Sequence, residues 1–273
     1  MPPTNEDIVD GVQERHFYSW RDFVDFLRGE VKLNRKLIWR GQSQNWPLLP
    51  SLERELTSPD PENRVKIRST HLDNFQYAIR GRLGPNPPDF SHPSKHRELW
   101  ALGQHHGLAT PLLDWTESPF VGAFFAYVNE KEADDDSERV VFGLDKKSIE
   151  EIDRDHLRAI AKERPLTSAL LGIKELPEVE IYKPKSHFNP NLVSQQGLFT
   201  IFQFVNLHLE TWIKMVFSGE HTHPVLVKYF LPNHDRHPFL IFLNRMNINH
   251  LTLFPDLTGA SKYCNQSLKI GEY

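Results

Sequence analysis

Residues 103–126 read GQHHGLATPLLDWTESPFVGAFFA, where a leucine pair gives way to an acid, an indole and two hydroxyls just before a helix-like run. A carboxylate among apolar neighbours suits acid–base or electrostatic work. Asp114 is equally suited to capping a turn by accepting backbone N–H bonds. Ser118 followed by Pro119 fits a helix start, with the hydroxyl at the cap and the proline where its missing N–H costs nothing. Thr116 is either a packed turn residue or a binding hydroxyl, and Trp115 is a core anchor before it is a stacking face. Two more polar islands interrupt apolar segments: KLIWRGQ ends in Arg40, Gly41 and Gln42, and VSQQGLF carries Gln195 and Gln196. An arginine at a strand end either pairs with a carboxylate or forks onto an anionic ligand. His105 and His106 are adjacent and lack the spacing of paired metal ligands, so they read as packed residues and no metal is expected.

The elements that must position these groups follow from periodicity. Ser19 precedes Trp20, Phe23, Val24 and Leu27 at helical spacing, which predicts a docking helix over 18–30. KLIWRGQ predicts a short strand, LLPSLER a loop or short turn, 64–83 a helix, the proline-rich 84–94 an irregular surface loop, and about 96–106 another helix. In the second half EKEADDDSE is a charged turn, RVVFGLD a strand, and 146–163 one polar surface helix. VEIYKP, GLFTIFQF and PVLVKYFL, rich in aromatic and β-branched residues, predict strands. HPFLIFLNRMNI reads as a helix and LTLFPDLTGASKYC as strand, turn and helix, with Asp256 capping the last. The order predicts an α+β fold in one domain over 20–263, preceded by a polar segment, 1–19, and followed by a tail, 264–273.

Composition narrows the class. With 273 residues, 39% hydrophobic and 25% charged, the chain can bury a full core and is neither disordered nor fibrous. A net charge of −4 gives no global footprint for nucleic acid, although KLNRK (32–36), RGR (80–82) and IYKPKSH (181–187) can still line a groove. A single cysteine, Cys264, excludes an intrachain disulfide and fits a reducing cytoplasm. There is no apolar leader and no run long enough to span a membrane, so no membrane partner is expected.

WRGQSQNWPLLPSLER, LWALGQHHGLATPLLDWTESPFVGAFFA, NLVSQQGLFTIF and MNINHLTLFPDLTGASKY together resemble the FRG domain family over about 20–263. The second stretch is the most specific. His106 replaces the family's aromatic residue, Pro111 and Asn191 replace arginines, and Asn247 stands where a glycine is common. The family layout is similar, more distantly, to that of ADP-ribosyltransferases, with a first strand carrying Arg, a second followed by a hydroxyl-bearing turn and an A-x-x-FA helix, and a third carrying Glu or Gln. The resemblance implies a central, mostly antiparallel sheet, continuous or split as in those transferases, flanked by helices. It implies NAD as substrate, with Arg40, Asp114 and Gln195 in catalytic roles and Arg40, Gly41, Gln42, Thr116, Ser118 and Phe125 holding the dinucleotide. Arg40 would fork onto phosphate or ribose. Gly41 would let its backbone approach the nicotinamide amide, and Thr116 and Ser118 would hold the ribose and the turn. Asp114 would stabilise the cation or deprotonate the acceptor, since a glutamine cannot act as a base. Gln195 or Gln196 can face the cleft, not both; family spacing favours Gln195.

Three functions fit these residues. One is transfer of ADP-ribose from NAD to a protein, RNA or DNA acceptor by a bacterial toxin or anti-phage effector that a neutralising antitoxin protein restrains. Another is a non-catalytic module binding a nucleotide or a partner segment. NAD hydrolysis, with water as acceptor, is the third.

Overall fold

The structure is a computed structural model that describes residues 4–5, 7–30, 36–56, 58, 60–84, 88–129, 137–163, 176–184, 190–202, 207–219 and 221–271. Its strands are β1 (Thr4–Asn5), β2 (Val12–His16), β3 (Leu37–Gln42), β4 (Leu112–Thr116), β5 (Glu138–Asp145), β6 (Val179–Tyr182), β7 (Gly197–Phe202) and β8 (Leu226–Pro232). They form one sheet in the order β1-β2-β8-β5-β3-β4-β7-β6. Every neighbouring pair is antiparallel except β2 with β8. The expected mostly antiparallel α+β sheet is therefore present.

The sheet is close to dividing in its middle. β3 runs along β5 from Leu37 opposite Asp145 to Gln42 opposite Val140, and β4 runs along β7 from Leu112 opposite Ile201 to Thr116 opposite Gly197. Between β3 and β4, however, the register holds at a single pair, Trp39 opposite Thr116. Beyond it the two strands part, and Arg40 and Asp114 stand on either side of the gap.

Helices cover both faces: α1 (Trp20–Glu30), α2 (Ser51–Glu55), α3 (Pro61–Ala78), α4 (His96–His105), α5 (Pro119–Tyr127), α6 (Lys146–Glu150), α7 (Arg154–Glu163), α8 (Pro190–Ser194), α9 (Leu209–Val216), α10 (Arg236–Arg245), α11 (His250–Leu253) and α12 (Leu257–Ile270). Strand alternation sorts the core. Leu37, Trp39, Val141, Val227 and Tyr229 pack with α1, α5 and α10 on one face, while Ile38, Val140, Phe142, Leu226 and Phe230 pack with α7 and α9 on the other. A third cluster joins α3 and α4 to Leu112, Phe199 and Ile201. α5 lies so close to β3 that a Cβ on Gly41 would collide with the Gly122 carbonyl and the Ala126 amide. No helix among the described residues is long and apolar enough to cross a membrane.

Several sequence expectations need correction. Residues 51–55 form a helix, not a loop or short turn; Leu52 is buried and the Ser51 hydroxyl accepts from the Thr110 amide at 3.0 Å. The helix expected over 146–163 is two, because the Asp153 carboxylate accepts from the His156 amide and starts a second helix there. Residues 251–254 were expected as a strand, but Asn249 and Thr252 form a capping box that closes the short helix α11. The polar segment 1–19 supplies β1 and β2, and the tail 264–273 continues α12 to Ile270. The charged turn at 130–136, most of KLNRK, Lys185–His187 and the end of GLFTIFQF lie outside the described residues.

Candidate functional site

A cleft of about 410 Å³ opens at the gap in the sheet, lined by Arg40, Gly41, Asp114, Thr116, Phe125 and Gln195 from the sequence reading. Phe124, Asn129, His250, Phe254 and Lys262 complete its walls. Four chain regions far apart in sequence thus converge where a single backbone pair ties β3 to β4.

Arg40 crosses the gap. Its Nη1 donates to the Asp114 carbonyl oxygen at 2.9 Å and lies 3.7 Å from the Asp114 carboxylate. Its Nε is buried without a hydrogen-bond partner among the described residues. Burial lowers the guanidinium's pKa, Asp114 opposes that shift, and nearby Arg54 adds to it. A guanidinium nevertheless stays charged. The site therefore holds a half-buried cation at the cleft wall, which suits an anionic or hydroxyl-rich ligand.

Asp114 is the exposed half of this pair, its side chain 63% accessible against 19% for Arg40. One carboxylate oxygen accepts from Gln104 Nε2 at 2.8 Å, and Gln104 in turn accepts from the Thr110 hydroxyl. Asp114 does not cap a turn by this carboxylate; α4 holds it from behind and leaves it facing the cleft. Trp115 is the core anchor, with its indole N–H on the Thr200 hydroxyl at 3.0 Å.

The hydroxyls have structural partners. Thr116 is buried, donates to the Gln195 carbonyl at 2.6 Å and accepts from the Ser118 amide at 3.1 Å. Ser118 caps α5 by accepting from the Val121 amide. Both hydroxyls are thus engaged by backbone groups; Thr116 lines the cleft and Ser118 does not. Gln42 does not line it either; the side chain is buried, with Oε1 lacking a partner among the described residues. Gly41 lies in the cleft floor, but its lack of a Cβ is demanded by α5 rather than by any ligand. Gln195 faces the cleft, its amide donating to the Leu253 carbonyl at 3.1 Å, while Gln196 takes a left-handed conformation (φ 49°) and accepts from Glu117 N.

Of the far wall, the sequence reading named Phe125 but not Phe254, His250 or Lys262. Phe125 and Phe254 meet edge to face, with ring centroids 6.2 Å apart, and give the cleft an aromatic wall. His250 stands beside them, its Nδ1 2.8 Å from Gln266 Oε1. Because an amide oxygen only accepts, Nδ1 carries the proton and Nε2 the lone pair. Burial lowers the His250 pKa, opposed by the Gln266 hydrogen bond and reinforced by Lys262, so the ring is neutral at pH 7. The signal was available: His250 and Phe254 are four apart in HLTLF and share one helical face, but the strand reading sent them to a common face by the wrong route. Asn247, in place of the family's glycine, has φ 59°, a conformation asparagine tolerates. His105 lies 3.5 Å from Asn191, and no cluster of three potential ligands that could hold a metal occurs among the described residues.

The FRG domain family model matches residues 35–135, from just before β3 to just past α5, which includes Arg40, Gly41, Asp114 and Phe125. The wall from Gln195 onward lies beyond that match. No curated protein and no solved structure matches the chain.

Proposed function

We propose that the cleft binds NAD and transfers its ADP-ribose to a macromolecular acceptor. The observation that carries this reading is the facing pair at the gap: a half-buried arginine lining the cleft, and an exposed carboxylate held by Gln104. Arg40 would hold phosphate or ribose oxygens. Asp114, a short distance away, would stabilise positive charge as it develops at the ribose C1′. The aromatic wall of Phe125 and Phe254 suits the planar nicotinamide, and the cleft volume lies within the roughly 300–1,000 Å³ of small-molecule sites.

The reaction balances with these groups. The C1′–nicotinamide bond breaks and its electron pair leaves with nicotinamide. An acceptor lone pair bonds to C1′, and the acceptor's proton passes to His250 Nε2. His250 therefore supplies the base that Gln195 cannot. NAD hydrolysis is the same chemistry with water as acceptor. Such an activity fits a toxin or anti-phage effector acting in the cytoplasm and kept in check by a neutralising protein.

A second reading, a nucleotide-binding module, is favoured by one observation: Thr116 and the Gln195 amide already have protein partners. Incubating the full chain with labelled NAD and a cell lysate, then treating the product with nuclease or protease, separates the readings. Label in macromolecules is expected; binding of NAD without transfer or hydrolysis would leave the binding module.

A further inference from the structure

A second concavity of about 620 Å³ adjoins the first and shares its wall at Val128, Asn129, His250 and Lys262. Its other lining includes Trp46, Arg236, Lys269, Asn265 and Gln266, with no aspartate or glutamate among the described residues. We propose that this annex holds the acceptor, and that the acceptor is single-stranded nucleic acid. As a statement about transfer this rests on the NAD reading; as a binding site it stands alone.

Charge is the first ground. In a chain of net charge −4, three cations line one concavity, and no acid does so among the described residues. Such a local concentration complements a polyanion. Arg236 is fixed in place by bonds to the Tyr127 and Val128 carbonyls at 2.8 and 3.3 Å, so its charge is preorganised at the annex wall.

The second ground is Trp46. It is 45% exposed although tryptophan is among the costliest side chains to leave in water. Its loop is held at both ends, by β3 before it and by fully buried Leu48 after it, and its own amide bonds to the Gln44 carbonyl at 2.8 Å. A rigid, exposed indole beside lysines is the stacking platform and electrostatic track that single strands use. Asn265 and the Gln266 amide nitrogen supply groups for base edges. A duplex keeps its bases stacked and offers none to Trp46.

Position is the third. His250 separates the two concavities and lines both, so a nucleotide seated in the annex brings its hydroxyl or ring nitrogen to the group that takes its proton. Its acceptor atom then points toward the cleft where C1′ would lie.

The test measures fluorescence anisotropy of a short labelled oligonucleotide of mixed sequence, as single-stranded RNA, single-stranded DNA and duplex, with the full chain. Calorimetry with NAD and thermal melts run in parallel. Single strands should bind more tightly than duplex, with affinity falling between about 50 and 200 mM salt at a log–log slope near −2 for three phosphate contacts. Trp46→Ala and Lys269→Glu, which alter residues of the annex alone, should each weaken oligonucleotide binding about tenfold with melting temperature and NAD affinity unchanged. Saturating NAD should not displace the strand. The proposal is overturned if the wild type binds no single strand, if neither substitution weakens binding, or if NAD competes the strand away, which would make the annex part of the dinucleotide site. Protease-sensitive, nuclease-resistant label in the lysate experiment would overturn it in favour of a protein acceptor. Annex-dependent strand binding without NAD binding would support the nucleic-acid site and overturn the transferase reading.

Discussion

Arg40 is a single side chain asked to serve two partners, the Asp114 carbonyl behind it and a ligand before it. Replacing it with lysine keeps the charge but loses the planar fork. NAD affinity should fall sharply while melting temperature hardly moves, because the Asp114 carbonyl can turn to water. Arg40→Ala should cost roughly 1.5–3 kcal/mol in NAD binding, about ten- to a hundredfold. Calorimetry and melts on both variants check this, and unchanged NAD affinity in folded Arg40→Ala would remove Arg40 from the site. His250 gives a pH signature. Its folded-state pKa lies below the ordinary value of about 6.5, chiefly through burial. Turnover should therefore rise with pH through a midpoint below that value and then level, as the neutral base becomes available. The same shift means the ring's contribution to stability is complete above about pH 6.5 and is lost as pH falls through the folded pKa. His250→Gln should abolish the rising limb; a profile identical to wild type would exclude His250 as the base. Arg40 and Asp114 were legible because polar residues stood out in apolar runs. His250 was not, since its meaning depended on whether 250–253 coil or extend.

At the scale of elements, the turn between β4 and α5 separates stability from ligand contact differently from what its residue types suggest. Ser118→Ala should cost about 1 kcal/mol through the lost cap. Thr116→Val should cost about 1–3 kcal/mol, at least as much, because it leaves the Gln195 carbonyl and the Ser118 amide without their shared hydroxyl in a buried place. Denaturant titration of both variants decides it, and a Thr116→Val protein as stable as wild type would return the hydroxyl to a ligand. Elements with strong periodicity, such as α1, β5, β8 and α10, were readable in the chain. Those set by side-chain-to-backbone bonds were not. Asn249 with Thr252 makes a helix of a leucine-rich run, and Asp153 breaks one helix into two. β2 was hidden because VQERH is polar and pairs only once β8 is beside it.

Across the whole molecule, a buried ionic knot fastens β2 and β8 to α9. Lys228, opposite Glu14 in the register, lies 3.2 Å from the Glu14 carboxylate and 2.7 Å from that of Glu210, which Lys214 also meets at 2.8 Å. Burial alone would raise the Glu210 pKa, but hydrogen bonds and charge from Lys214 and Lys228 outweigh it and the net shift is downward. A carboxylate whose folded pKa is depressed contributes stability above its unfolded value of about 4.3, and that contribution is lost as pH falls through the folded pKa. Glu210→Gln should lower stability at pH 7 by about 2 kcal/mol and flatten its decline below about pH 4.3. Melting curves from pH 3 to 7 would show it, and a parallel pH dependence in the variant would count against the knot. No local pattern announces such a knot, because its three elements come from opposite ends of the chain; nor does the sequence encode the strand order that brings Arg40 to Asp114.

The lone Trp39–Thr116 pairing has a mechanical consequence. A ladder of hydrogen bonds resists bending along its length, whereas two slabs fastened at one rung can pivot about it. The backbone ladder is therefore continuous within each half, one built on β5 and β3 and the other on β4 and β7, with the Arg40–Asp114 bond as a latch beside the one rung between them. The two halves nonetheless share one apolar core, in which Leu113, Trp115 and Leu198 pack with Ile38, Val140 and Phe142, so the link between them is made by side chains more than by backbone bonds. A ligand that recruits the Arg40 guanidinium loads the latch directly, and its grip is felt as torque between the two slabs.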